Sequence, residues 1–228
     1  MAKREFPELD NDWKDFKFDA PASRGKFSAF SSKAFAIIKF LLGVCLLPFV
    51  YAVSLAFLNQ FAKVEPLLEN YFWQGLISFL VIYLFVWEPA LVYNRGHKLV
   101  SFVFNFIKPL VKVAPYLVPI YTLVIFISYE LFLLVSKSTE LLCYAVFALG
   151  FSTALHLVFS AKSVRGKKGD FLKSNYLFGF SMAYILNLSL LSFLLNVIFV
   201  PFSFVAFCNQ SYQIASGVFF AVLKQLFL

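Results

Sequence analysis

Residues 71–93 read YFWQGLISFLVIYLFVWEPALVY, and residues 95–112 read RGHKLVSFVFNFIKPLVK. The first stretch holds one charged side chain, Glu88, in 23 positions, long enough for a helix to cross the ~30 Å hydrocarbon core of a bilayer. The second holds four cations. An apolar run of spanning length followed at once by a cationic run is what a membrane helix leaving the bilayer looks like.

Five more apolar segments flank this pair: 34–58, 114–136, 139–160, 176–200 and 203–227. Backbone polar groups in hydrocarbon must bond within their own segment, so each is expected to be a helix. The totals agree. Only 14% of the 228 residues are charged, against roughly 25% in soluble domains. Mean hydropathy is +0.80, and Phe occurs 32 times.

The cations then orient the chain. Eighteen of the 20 Lys and Arg residues lie before or early in the first segment, between the second and third, between the fourth and fifth, or at the C-terminal end. Lys63 and Lys137 alone fall in the opposite gaps. The positive-inside rule places both termini in the cytoplasm. The fold class expected is all-α: a polytopic integral membrane helical bundle of about six transmembrane helices. Segment 203–227 carries Asn209, Gln210, Ser211 and Gln213 near its middle, so a re-entrant or interfacial helix stays open for it.

Residues 1–32 divide from the membrane domain, 33–228. They hold six acids and Pro21 and are expected to form a soluble cytoplasmic tail, either a disordered leader or a docking arm. No early apolar core suggests a cleavable signal peptide, so the first span is expected to act as an uncleaved insertion signal. Cys45, Cys143 and Cys208 lie in apolar runs, which argues for burial over a disulfide framework.

Within 95–112 the polar residues Arg95, Lys98, Ser101, Asn105, Lys108 and Lys112 are spaced at 3, 3, 4, 3 and 4. That spacing forms one helical stripe, predicting an amphipathic helix on the cytoplasmic membrane surface with its cations toward anionic lipid. Pro109 should kink it or end its regular part. The segment either simply anchors the protein or forms a partner-docking or lipid-sensing surface.

WEPALVYNRGHKLVSFVF (87–104), VAPYLVPIYTLVIF (113–126) and LHLVFSAKSVRGKKGDFLKSNYLF (155–178) resemble bacterial membrane proteins similar to site-2-protease-type zinc metallopeptidases. The likeness covers roughly residues 85–180. In that family a span ends in a Tyr-rich stretch followed by Gly-His-Glu-x-x-His. An Ala-Pro-Tyr-x-x-Pro-x-Tyr-Thr segment opens a later span. The resemblance implies that fold and a bacterial cytoplasmic membrane.

The zinc chemistry needs two His one turn apart with a Glu between them as general base. The matching positions are Gly96, His97, Lys98, Leu99, Val100 and Ser101. A cation stands where the base would be and a hydroxyl where the second ligand would be. No Asp occurs in any apolar segment, and His156 is the other His. The chain is therefore expected to be a degenerate member without catalytic residues. No metal or cofactor is implied, with His97 and His156 the weak candidates for a metal.

Other polar residues at depth form a candidate site. Glu88, His97 and His156 could gather near the cytoplasmic ends of the second and fourth spans as a proton or ion site. Alternatively, Glu88 pairs with Arg95, seven positions on. Glu130 is expected at an interface or in a helix–helix hydrogen bond. Two stripes are expected to serve helix packing, within the chain or to a partner: Ala148, Ser152 and His156 on the fourth segment, and Ala206, Asn209, Gln213 and Gly217 on the sixth. Pro48, Pro89, Pro115 and Pro119 mark places where helices could open.

Three functions follow. The first is a non-catalytic structural or accessory subunit of a larger membrane complex, with other membrane subunits and anionic lipid as partners and no nucleic acid. The second is a membrane metallopeptidase. The third is a small transporter or channel using Glu88, His156, Asn209 and Gln213.

Overall fold

A computed structural model describes residues 26–105, 114–135, 139–165 and 176–227. Secondary structure among them is helical, without a strand. The chain divides into two units, Met1–Phe35 and Ala36–Leu228. All packing described below lies within the second.

Four helices are long and apolar enough to cross a membrane: Ile37–Phe61, Pro66–Phe85, Glu140–Arg165 and Tyr176–Ile198. They mark an integral membrane protein. The first belongs to α1 (Lys26–Phe61), which runs unbroken through Pro48. It begins inside the segment expected to be a tail, because no Pro or Gly interrupts residues 26–42.

Helix α2 (Pro66–Phe85) starts five residues before the expected span and stops eight short of its expected end. Pro66 explains the start: proline is preorganised for the first helical turn and lacks only an N–H that would have no partner there. Pro89 explains the stop, since it disfavours helical conformation at the preceding residue. Trp87 instead donates to the Ile82 carbonyl at 2.9 Å. The expected second span is therefore two elements. Glu88 falls in the break, and α3 (Ala90–Val103) starts after Pro89, five residues earlier than the expected surface helix. Lys108, Lys112 and Pro109 lie outside the described residues.

Segment 114–136 is also divided, into α4 (Ala114–Leu117) and α5 (Ile120–Leu133). Pro119 has no N–H to continue the ladder. The 14 residues of α5 extend about 21 Å, short of a ~30 Å hydrocarbon core. Helix α6 (Thr139–Arg165) continues past the expected end into the basic run, placing Lys162 and Arg165 in its last turn, where the helix dipole favours cations. Then follow α7 (Tyr176–Ile198) and α8 (Phe204–Phe227). The start of α8 is capped twice: Asn196 Oδ1 accepts from Phe204 N–H at 2.9 Å, and Ser203 Oγ accepts from Ala206 N–H at 3.2 Å.

The tightest crossing joins α2 to α6. A Cβ on Gly75 would stand 2.0 Å from the Phe147 carbonyl oxygen; one on Gly150 would stand 2.1 Å from that of Phe72. Lipid is as apolar as the helices, so close backbone approach is what helix association in a bilayer gains from. Aromatic rings follow the same pair upward, Phe79 against Phe151 and Tyr83 against Phe159. The residue numbers rise together, so α2 and α6 run parallel.

Elsewhere, Gly43 of α1 lies against the Phe178 backbone of α7. Ser54 and Tyr184 share a hydrogen bond of 2.8 Å. A cluster of Phe57, Phe61, Phe72, Phe202 and Phe207 closes the α1–α2–α8 end of the core. The thiols are free; Cys143 is buried, whereas Cys45 and Cys208 are exposed, against the expectation of burial for all three.

Candidate functional site

Where α3, α4, α5 and α6 meet, side chains of α6 reach a backbone carbonyl of the broken segment. In a continuous helix the Tyr116 oxygen would accept from Ile120 N–H. Pro119 prevents this, and Ile120 donates to Val118 at 3.0 Å instead. A buried carbonyl left unpaired costs about 1–3 kcal/mol. Two side chains of α6, one turn apart, meet that need. His156 Nε2 lies 3.3 Å from the Tyr116 oxygen, and Ser160 Oγ donates to it at 3.1 Å. Ser160 Oγ and His156 Nε2 are also 3.2 Å apart. Both residues are buried.

His97 comes to the same place from α3. Its ring meets Tyr116 edge-on at 5.3 Å between centroids and lies 6.2 Å from Tyr93. Tyr93 also faces His156 at 6.1 Å and stacks on Phe159 at 5.1 Å. Gly96 lets α3 approach this closely, since a Cβ there would stand 2.7 Å from Tyr121 Cε2. The Tyr121 hydroxyl donates to the Val92 carbonyl at 2.5 Å. His97 and His156 line one cavity of about 10 Å³, room for about one water molecule.

Glu88 is not part of this cluster. It pairs with Lys162 at the exposed end of α6, rather than with Arg95 or His156. The two side chains are 45% and 55% exposed, so solvent screens the pair and it is a weak contribution to stability. The three-residue candidate site thus divides: two His together, the Glu apart. Spacing along one helix offered Arg95; the actual partner is 74 residues away.

The positions that match the zinc motif have other occupations. Lys98 is exposed on α3, and the Ser101 hydroxyl donates to the His97 carbonyl one turn back at 2.9 Å. Among the described residues no three His, Cys, Asp or Glu side chains gather as a metal site would require. Two imidazoles supply half of a tetrahedral zinc shell.

Of the packing residues, Ser152 is buried and shares a 3.0 Å hydrogen bond with Thr122 of α5, while Ala148 is half-buried. Glu130 is half-buried on α5. Asn209 and Gln213 are exposed on α8, whose buried residues are Phe207 and Ala215. A Cβ on Gly217 would meet nothing within 4 Å. Among the described residues the Asn209–Gln213–Gly217 face is therefore left open, and the inward face of α8 is the apolar one.

No protein-family model, curated protein or solved structure matches the chain.

Proposed function

We propose that this chain is a non-catalytic structural or accessory subunit of a larger membrane assembly, with both ends on the cytoplasmic side and α8 as its contact with the rest. The observation that carries this reading is the outward face of α8. At 100° per residue, Asn209, Gln213 and Gly217 form a stripe opposite Phe207 and Ala215. Although α8 is not among the four helices apolar enough to cross a membrane, amides on a face turned to lipid would cost several kcal/mol unless hydrogen-bonded. The vacancy beside Gly217 admits a second backbone. A partner helix would satisfy both features.

The parallel course of α2 and α6 supports the topology. Chain that leaves the end of one and enters the start of the other must cross back between them, and α4 with α5 is the segment available. The occupations of Lys98 and Ser101 support a non-catalytic role, and so does the small size of the cavity at the His pair. Descent from a site-2-protease-type peptidase would account for the motif remnants in 87–126.

One observation favours a second reading. His97 and His156 do reach one cavity, as a metallopeptidase site supplemented by a further ligand would need. Zinc analysis of the purified protein separates the two readings, with stoichiometric metal lost in His97→Ala favouring the second. The first is tested by mass in mild detergent. A particle larger than the 26.0 kDa chain, containing a second protein or copy, is expected. A strict monomer with no co-purifying protein would count against it.

A further inference from the structure

We propose that the cleft on the outer side of α3, walled by Leu91, Asn94, Arg95, His97 and Lys98, binds the phosphate of an anionic phospholipid headgroup. The cleft is a half-open surface recess of about 360 Å³ along one helix, shaped to hold a headgroup and not to enclose a whole ligand. Arg95 and Lys98 stand one turn apart on its wall and are exposed. A guanidinium grips phosphate through two parallel hydrogen bonds, and an ammonium adds a point charge beside it. The Asn94 amide adds a neutral donor.

Two observations keep this cleft positive and point to a lipid. The nearest acid in sequence, Glu88, is held by Lys162, and among the described residues neither Arg95 nor Lys98 belongs to an ion pair. Beside the cations, α3 also exposes large apolar groups: Leu91 is 70% accessible, Leu99 53% and Phe102 80%. A free phosphate has no use for these side chains, whereas acyl chains attached to the phosphate would cover them. Such an amphipathic surface suits a helix at the headgroup level. The proposal rests on the chain being a membrane protein and is independent of what α8 contacts.

The test uses the full chain in nanodiscs of equimolar phosphatidylglycerol and phosphatidylcholine, with bound lipid counted by native mass spectrometry. Wild type should retain phosphatidylglycerol preferentially. Each cation removed, in Lys98→Gln and then Arg95→Gln/Lys98→Gln, should lower that preference about fivefold, which corresponds to about 1 kcal/mol per cation. Arg95→Lys, which keeps the charge, should retain most of it, and Lys224→Gln, on another helix, all of it.

Equal retention of both lipids by wild type, or undiminished preference in the double variant, would overturn the proposal. Inorganic phosphate separates the sources. If it raises the melting temperature of wild type but not of the double variant in phosphatidylcholine discs, and wild type shows no lipid preference, the site is one for free phosphate and the lipid assignment is wrong.

Discussion

His156 lies deep in the bundle with its Nε2 3.3 Å from the Tyr116 carbonyl, in the segment that Pro119 breaks. Read this way, its first task is to close a broken helix. His156→Ala should destabilise the protein by about 1–3 kcal/mol in a detergent unfolding titration, since it exposes a buried acceptor. His156→Gln, whose amide can still donate, should recover part of that loss. Ser160→Ala should cost less, because His156 still reaches the oxygen. Equal stability of all three would remove the capping role. The sequence made His156 conspicuous as a rare ionisable group at depth. It concealed the partner, because a backbone carbonyl has no residue signature. Glu88 was legible in the same incomplete way. Its need for a cation was plain, but a single chain shows only local neighbours, and Lys162 is not one.

At the level of elements, apolar length located the helices and proline set their ends. The segments centred on 45, 150 and 187 lie close to their expected places. Those around 85 and 118 were expected to be continuous because hydropathy alone takes no account of the missing N–H groups of Pro89 and Pro119. The α2–α6 crossing was not legible. Gly75 and Gly150 are isolated in sequence, and neither belongs to a repeated small-residue motif. In the structure each supplies space the other helix's backbone fills. Gly75→Ala and Gly150→Ala should each cost about 1–3 kcal/mol through overpacking, and leucine more. Gly217→Ala, facing open space, should change stability by less than about 0.5 kcal/mol. Thermal melts of the three variants in one detergent would check the contrast; similar melting temperatures would mean the crossing is not the tight contact it appears in the backbone geometry.

For the whole molecule, the cation arrangement carries the most information. In the proposed topology it puts the N-terminus, the α2–α5 connection, the α6–α7 connection and the C-terminus on one side. Cysteines introduced at Ser23, Ser174 and Gln225, in a background without the native thiols, should react with an impermeant maleimide only after the cytoplasmic face is opened. Labelling of Ser174→Cys in intact cells would reverse the orientation. The proposed topology rests on charge bias, which is a property of loops and independent of tertiary contacts. Function was less legible, because the residues that suggest chemistry, His97 and His156, are engaged in packing and capping. The residues that suggest assembly, Asn209 and Gln213, gain meaning only once the structure places them on the outward side of α8.

The most direct measurement is site-specific photo-crosslinking in native membranes, with benzoylphenylalanine at Gln213 and, for comparison, at Phe132, a 58% exposed apolar position on α5. Illumination is expected to join position 213 to a protein, giving a discrete band above 26.0 kDa, while position 132 gives none. The absence of any protein adduct from position 213, with full incorporation of the probe, would contradict the assignment of α8 as an assembly surface.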